Sequence, residues 1–193
     1  FRRTVDGFEM QIGTNHLGHF ALTGLLKDKL TDRVVTMSSA LHQLGTVDLD
    51  DLNFERRKYN RWLAYGQSKL ANLLFTYELQ RRFAASGSSL KALASHPGYA
   101  STNLQGHTES IQDKLMGIGN SIFAQSAEMG ALPELWAATA PDAFGGSYIG
   151  PDGPFEQRGY PKVVGSNKKS HDTKTASGLW TLSEKLTGVS FGI

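Results

Sequence analysis

The sequence contains no cysteine and no long hydrophobic run. The missing cysteines exclude disulfides, thiol nucleophiles and thiolate metal sites, and they leave the redox compartment open. No apolar stretch approaches the ~20 residues that cross a bilayer, and the N-terminal residues lack the charged and apolar regions of a signal peptide. The sequence therefore predicts a protein without a membrane span that works in the cytoplasm.

The sequence also carries little net charge, because 20 Lys and Arg residues nearly balance 18 Asp and Glu residues and leave a net charge of +2. No basic patch is interleaved with aromatic residues, so nucleic acid is not an expected partner. Hydrophobic residues make up 39% and charged residues 20% of the 193 residues, which is ordinary for a folded protein. We expect one domain that spans residues 1–193.

Hydrophobic periodicity predicts alternating helices and strands. The predicted helices are Asp6–Leu30, Trp62–Ala85, Ser126–Thr139 and Asp172–Leu186, and the predicted strands are Arg33–Met37, Leu90–Ser95 and Ser147–Gly150. The first strand is apolar enough to be buried on both faces. Residues 45–60 are polar and predict an excursion over the surface, while residues 103–125 and 151–171 predict loops. This alternation favours right-handed βαβ units and a parallel sheet.

Tyr65 and Lys69 project from the same side of one predicted helix, because they lie four residues apart. A fixed ammonium beside a phenol lowers the phenol pKa from its usual value of about 10, and such a shift suits proton transfer at neutral pH. Composition alone gives roughly a one-in-three chance of some Tyr-x-x-x-Lys, so the pair is weak evidence by itself. The same helix carries an apolar stripe of Leu70, Leu73, Leu74 and Tyr77. The pair lies beside this stripe, a position that suits a cleft.

Several polar residues lie where ligands bind in parallel sheets. Ser38 and Ser39 follow the first strand, and hydroxyls at the carboxyl end of a strand either contact a ligand or cap the turn. His42 either lines the same mouth or covers the surface. His16 and His19 lie three residues apart, but no third ligand is spaced to complete a site, so no metal is expected.

Four features in order resemble the short-chain dehydrogenases/reductases. They are Asn15 in a Gly-flanked helix, Ser38-Ser39 after a strand, Tyr65-x-x-x-Lys69 on the next helix, and Pro97-Gly98 after the next strand. The runs Asn15-His16-Leu17-Gly18-His19-Phe20 and Tyr65-Gly66-Gln67-Ser68-Lys69-Leu70-Ala71-Asn72 are similar to the retinol-dehydrogenase-like branch, which includes the protochlorophyllide reductases. The resemblance is dense over residues 5–102 and weak afterwards, and it implies that the segments 103–125 and 151–171 are substrate loops. It implies the C-terminal part of a Rossmann-type, doubly wound α/β sheet.

The resemblance also implies the roles of three catalytic side chains. Tyr65 is the general acid-base that exchanges a proton with the substrate oxygen. Lys69 lowers the pKa of Tyr65 and holds the nicotinamide ribose. Ser39, rather than Ser38, orients the carbonyl group. The chemistry is consistent, because hydride addition develops negative charge on an oxygen that two hydroxyl donors stabilise.

The resemblance also implies which residues hold water, cofactor and substrate. Asn15 holds a water that links Lys69 to solvent. Pro97 and Gly98, with the backbone of Ala100 and the hydroxyl of Thr102, meet the nicotinamide carboxamide and pyrophosphate. The implied cofactor is NADP or NAD, and the branch slightly favours NADP. The implied substrate is a hydrophobic small molecule, either an alcohol or the matching aldehyde or ketone.

The sequence departs from the family in one large respect. It has no Gly-rich strand-to-helix turn, no Asn-Asn-Ala-Gly strand and no charged position that distinguishes NAD from NADP. Two interpretations stay open: an oxidoreductase seen through its C-terminal part, and a truncated, non-catalytic remnant that acts as a binding or interaction module.

Both interpretations leave an open edge at the first strand. We expect residues 33–39 to pair with another polypeptide segment, because an unpaired edge exposes backbone donors and acceptors. Residues 1–193 alone are then expected to be poorly soluble or to bind nucleotide negligibly, which calorimetry with NAD and NADP tests.

Overall fold

A computed structural model describes residues 1–99 and 125–193. Its sheet contains β1 (Arg33–Met37), β2 (Lys91–Ser95), β3 (Tyr148–Pro151) and β4 (Pro161–Val163) in the order β1-β2-β3-β4. The first three strands are parallel, and β4 is antiparallel to β3. This sheet with its flanking helices confirms the predicted Rossmann-type α/β architecture.

The helices begin and end close to the predicted residues, except for the first. The described helices are α1 (Met10–Ile12), a π-helical turn (Gly13–Leu17), α2 (Gly18–Leu26), α3 (Arg61–Ala85), α4 (Ala127–Thr139) and α5 (Thr173–Thr187). The first helix was predicted to start at Asp6, but residues 4–8 form a turn instead, in which the Thr4 N–H donates to the Phe8 carbonyl at 2.8 Å. Glu9 then caps α1 by accepting from the Ile12 N–H.

The segment 151–171 contains regular structure where a loop was predicted. It holds β4, whose register places Val163 opposite Ile149, and the 3₁₀ turns Pro154–Glu156 and Lys168–His171. Elements of three or four residues are too short to give a recognisable period, so the sequence pattern missed them. The substrate-loop role of this segment stays a prediction. The other such segment, 103–125, lies outside the described residues except for Gln125.

Helices α3 and α4 cover opposite faces of the sheet. Side chains alternate along β2, and Ala92 and Ala94 pack with residues of α3 while Ser95 bonds to Glu134 of α4. Helix α5 packs on the far side of α3, where Trp180 joins Phe75 in the core. Helix α3, which carries Tyr65 and Lys69, therefore lies between the sheet and α5. Its first turns lie at the carboxyl end of β1.

Strand β1 is an edge of the sheet as far as the described residues show. It pairs with β2 alone, and Val34 and Val35 are only half-buried. The side chain of Met37 keeps 40% of its exposure. The prediction that this strand is buried on both faces is therefore wrong in this structure, where no strand of residues 1–99 and 125–193 lies beside its outer edge. Its pairing with a further polypeptide segment stays a prediction.

Candidate active site

Tyr65 and Lys69 lie in the first turns of α3, which Asn60 caps by accepting from the N–H groups of Trp62 and Leu63. The Lys69 Nζ atom lies 5.5 Å from the centroid of the Tyr65 ring. Tyr65 is half-buried and Lys69 is buried, so the pair sits at the margin of the core. This is the cleft-like position that the helical spacing predicts.

The Lys69 ammonium reaches the carboxyl end of β1. It donates to the Met37 carbonyl at 3.2 Å, and the Asn72 amide donates to the same oxygen at 3.0 Å. Burial lowers the pKa of Lys69 to about 8, although the Glu134 carboxylate opposes this shift. Burial of an ammonium costs free energy, and such buried charges are often found where a protein binds an anionic or polar ligand. A ligand-binding role therefore fits Lys69 better than a purely structural one.

The two serines after β1 have separate functions in the fold. The buried Ser38 hydroxyl donates to the Lys69 carbonyl at 2.9 Å and so fastens β1 to α3. The Ser39 hydroxyl accepts from the Leu41 N–H at 3.2 Å and caps the 3₁₀ turn Ala40–Leu44. The Ser39 hydroxyl also opposes the rise in the pKa of the Tyr65 phenol. Ser39 therefore both caps this turn and lies at the candidate site.

The pKa of Tyr65 is raised, whereas the sequence predicted that it would be lowered. Burial of the phenol is the largest cause, and only the Ser39 hydroxyl opposes it. The Lys69 ammonium is turned to the Met37 carbonyl rather than to the phenol oxygen, so it does not stabilise the phenolate here. Lowering of the Tyr65 pKa therefore requires the ammonium to reorient.

Asn15 lies against α3 but contacts neither Tyr65 nor Lys69 directly. Its amide donates to the Ser68 hydroxyl at 3.0 Å and to Gln11 at 3.3 Å, and Ser68 in turn donates to the Tyr65 carbonyl at 2.8 Å. The π-helical turn Gly13–Leu17 places it there. A water held between Asn15 and Lys69 stays a prediction.

His42 is buried, so the expectation that it covers the surface is wrong. Its Nδ1 atom lies 2.7 Å from the Ser39 carbonyl, and its Nε2 atom accepts from the Asn167 N–H at 3.3 Å. The Nδ1–H group therefore donates to Ser39 and holds the turn that carries this hydroxyl. Both ring nitrogens are engaged, and contact of His42 with substrate stays a prediction.

The turn after β2 approaches residues 156–159 closely. Gly98 has φ +68°, and a Cβ there would lie 2.4 Å from the Gln157 carbonyl, so only glycine fits. The Tyr99 N–H donates to that carbonyl at 2.7 Å, and the Gln125 side chain donates to the Pro97 carbonyl at 2.7 Å. Pro97 and Gly98 thus form a fixed turn at the mouth. Ala100 and Thr102, the other predicted cofactor contacts, lie outside the described residues.

His96 and Glu156 brace the same turn, and the sequence reasoning missed both. The His96 Nε2 atom lies 3.2 Å from the Glu156 carboxylate, and Nδ1 accepts from the Gly98 N–H at 3.3 Å. Burial lowers the pKa of His96 to about 4 and raises the pKa of Glu156, so the pair is a hydrogen bond between a neutral imidazole and the carboxyl group. Sixty residues separate them in sequence, and no local pattern links them.

Gly45 and Gly66 let the turn that follows Ser39 pack directly on α3. A Cβ on Gly66 would lie 2.8 Å from the Leu41 carbonyl, and a Cβ on Gly45 would lie 2.4 Å from the Gly66 carbonyl. This backbone contact sets the separation of Ser39 and Tyr65. The signal in the sequence was a glycine inside an otherwise strong helix.

We expect Gly66→Ala to destabilise the protein by about 1–3 kcal/mol, because backbone must move to admit the methyl group. The same shift separates Ser39 from Tyr65 and should lower turnover. Gly178→Ala on α5 is the matched control, since its methyl group meets only the flexible Leu49 side chain. Chemical denaturation compares the two variants, and equal stability would show that the Gly66 contact does not set the packing.

The described part of the chain contains neither a metal-binding cluster nor a membrane-spanning helix. Over residues 1–99 and 125–193, no three His, Asp or Glu side chains cluster as a metal site would require. None of the helices in this part of the chain is long and apolar enough to cross a membrane.

Comparisons with known proteins agree with the geometry. No family model matches the chain. It is 41% identical to human retinol dehydrogenase 13 over 96% of its own length and 56% of the relative, and 36% identical to human polyprenol dehydrogenase over 97% and 57%. A crystal structure of an uncharacterised protein from Mycobacterium paratuberculosis matches with a TM-score of 0.83 and 50% identity, over 100% of this chain and 64% of that one. The chain belongs to the short-chain dehydrogenase/reductase family. It spans little more than half the length of the curated relatives that it matches.

The residues present suit the nicotinamide cofactor that the family implies. Within residues 1–99 and 125–193, the Lys69 ammonium uses one of its three N–H donors, on Met37. The tight turn at Gly98 brings backbone rather than side chains to the mouth, as close approach to a dinucleotide requires. Tyr65, Lys69 and the Pro97–Gly98 turn are the groups that would hold the cofactor.

Proposed function

We propose that the protein is an NAD(P)-dependent oxidoreductase that interconverts an alcohol and the matching aldehyde or ketone on a hydrophobic small molecule. One observation carries the proposal: the Lys69 ammonium bonds the carbonyl of Met37 at the carboxyl end of β1, two residues before Ser39, and lies 5.5 Å from the centroid of the Tyr65 ring. Two hydroxyls next to a cation suit an oxygen that gains and loses negative charge.

The cofactor, when bound, supplies the hydride acceptor for alcohol oxidation or the hydride donor for carbonyl reduction. In reduction, Tyr65 donates its phenolic proton to the substrate oxygen, and Ser39 donates a hydrogen bond to the same oxygen. In oxidation, Tyr65 takes the alcohol proton. Lys69 would hold the cofactor ribose, and its ammonium, turned from the Met37 carbonyl toward the phenol, would lower the pKa of Tyr65.

A hydrophobic substrate is proposed because the relatives are named retinol and polyprenol dehydrogenases. NADP is slightly favoured over NAD by the resemblance to that branch, and a cytoplasmic location stays a prediction. Further contacts to cofactor and substrate are proposed for Ala100, Thr102 and the segments 103–125 and 151–171.

The test is an assay of the full-length protein with NADP and NAD against long-chain alcohols, retinol and a polyprenol. Formation of reduced cofactor with at least one alcohol, lost in Tyr65→Phe, supports the proposal. Cofactor binding without turnover of any alcohol or carbonyl compound would contradict it. That outcome favours the alternative of a non-catalytic binding module.

A further inference from the structure

The tip of the β3–β4 hairpin has a backbone that its sequence does not suit. Phe155 has φ 53° and ψ 22°, and Glu156 has φ 56°. The turn is closed by the Gln157 N–H, which donates to the Pro154 carbonyl at 3.2 Å. Positive φ at both central residues is the pattern of a type I′ turn, which strongly favours Asn and Gly. Strained residues of this kind are concentrated at functional sites, so each of the two side chains needs a reason to be there.

The reason for Glu156 lies inside the protein. Its carboxyl group lies 3.2 Å from the His96 Nε2 atom, and the His96 Nδ1 atom accepts from the Gly98 N–H at 3.3 Å. Glu156 therefore braces the turn that follows β2, and this bond offsets part of the cost of its left-handed backbone.

The fold offers no such reason for Phe155. The residue keeps 90% of its exposure, so its ring is left in solvent. Asn or Gly at this position would relieve the backbone, and either would remove an apolar ring from water. Since neither the local conformation nor packing favours phenylalanine here, the ring points to a contact with a molecule outside the fold.

The hairpin tip lies at the mouth of the candidate site. The Gln157 carbonyl accepts from the Tyr99 N–H at 2.7 Å, which fastens the tip to the Pro97–Gly98 turn. That turn continues from β2, whose end is joined to the end of β1 by the Ser38 N–H, donating to the Ser95 carbonyl at 2.7 Å. The exposed ring is therefore held by a fixed backbone at the same edge of the sheet as the proposed catalytic residues.

We propose that Phe155 contacts the apolar part of the substrate and is a specificity-determining residue of the site. A substrate whose oxygen lies at Tyr65 and Ser39 extends outward through the mouth, and covering the ring removes apolar surface of both from water. The fixed turn lowers the entropy cost of that contact. Long apolar substrates gain from it more than short ones, because the part beyond the reacting carbon covers the ring. The proposal rests on the proposed function and adds a residue that selects for apolar length.

The first test is the binding of retinol and decanol to the full-length protein in the presence of NADP, with retinol followed by its own fluorescence and decanol by calorimetry. We expect Phe155→Asn to weaken binding by about 5- to 20-fold, which is part of the effect of burying one aromatic ring. Phe155→Tyr keeps the ring and should keep the affinity. Phe144→Asn is the matched control, because Phe144 is also exposed but precedes β3 at the opposite edge of the sheet.

Equal affinity in the wild type and Phe155→Asn would overturn the proposal whether or not the protein turns over an alcohol. Failure of the wild type to bind either alcohol would overturn it as well.

Turnover separates this proposal from the proposed function. We expect Phe155→Asn to lower kcat/KM about 10-fold more for decanol than for butanol, mainly through KM. Tyr65→Phe should lower turnover of both alcohols alike. An equal loss for both alcohols in Phe155→Asn would overturn the role in specificity and leave the oxidoreductase intact. If the wild type oxidises neither alcohol, the proposed function fails, and the binding experiment alone decides on Phe155.

Stability distinguishes contact with substrate from contact within the protein. Phe155→Asn should raise the urea midpoint of the full-length protein, because Asn tolerates the left-handed backbone better than Phe. A lower midpoint would show that the ring packs within the full-length fold. A change from oligomer to monomer with unchanged retinol affinity would show that a second copy of the chain covers the ring. Either result would overturn the proposal.

Discussion

Replacing Tyr65 by Phe in the full-length protein is expected to lower kcat by about 10²- to 10⁴-fold and to leave cofactor affinity nearly unchanged. The substitution removes the proton donor and almost no volume, so the ring still packs at the margin of the core. Steady-state turnover and the dissociation constant for NADP, measured on the same preparation, separate the two effects.

Tyr77→Phe is the matched control for that result. Tyr77 lies on the same helix, is buried, and bonds Ser166 at 2.9 Å away from the site. Its loss should cost about 1 kcal/mol of stability and leave kcat within a few-fold of the wild type. Turnover in Tyr65→Phe equal to that in Tyr77→Phe would refute the assignment of Tyr65 as the acid-base group.

Replacing Lys69 by Met is expected to damage both kcat and cofactor affinity, because the ammonium is assigned to the ribose as well as to the phenol. We expect a loss of about 10²-fold or more in kcat/KM. The same substitution should stabilise the fold, since it removes a charge whose burial lowers the pKa of Lys69 from 10.5 to about 8.

The stability gain of Lys69→Met has a defined pH window. Below pH 8 the lysine is charged in both the folded and the unfolded chain, and the folded chain carries the whole cost of burial, at most about 3 kcal/mol. As pH rises from about 8 to 10.5 the folded protein loses this proton first, so the cost and the advantage of methionine both fade. Urea denaturation at pH 7 and 10.5 tests this, with the exposed Lys185→Met as control, and a gain that grows with pH would contradict it.

The sheet could be predicted from the sequence because each parallel strand is a short apolar run followed by turn residues. β1 begins and ends where the pattern placed it, and β2 and β3 differ by a residue or so. The burial of β1 was overestimated, since an apolar run cannot show whether a neighbouring strand lies beside it. β4, with three residues and a proline, gave no period at all.

The site could be predicted in part, because helical spacing and strand ends are local properties. Spacing placed Tyr65 and Lys69 on one face of α3, and the end of β1 placed Ser39 beside them. The orientation of the Lys69 ammonium could not be read from the sequence, because it depends on the Met37 carbonyl that folding brings to it. The expectation of a lowered pKa for Tyr65 therefore failed here.

The residues that hold the site in place were the hardest to predict. His96 and Glu156 bond each other across 60 residues of sequence, and the Asn72 amide donates to the Met37 carbonyl 35 residues away. Their residue types are common in solvated positions, so composition and spacing gave no reason to bury them.

The central claim is that Tyr65 and Ser39 contact one substrate oxygen beside Lys69. A crystal structure of the full-length protein with NADP and a bound alcohol or ketone tests this most directly. We expect the Tyr65 and Ser39 hydroxyl oxygens to lie at about 2.6–3.2 Å from the same substrate oxygen, with the Lys69 ammonium turned from Met37 to the ribose. A substrate oxygen held by other side chains, with the two hydroxyls too far apart to share it, would contradict the account.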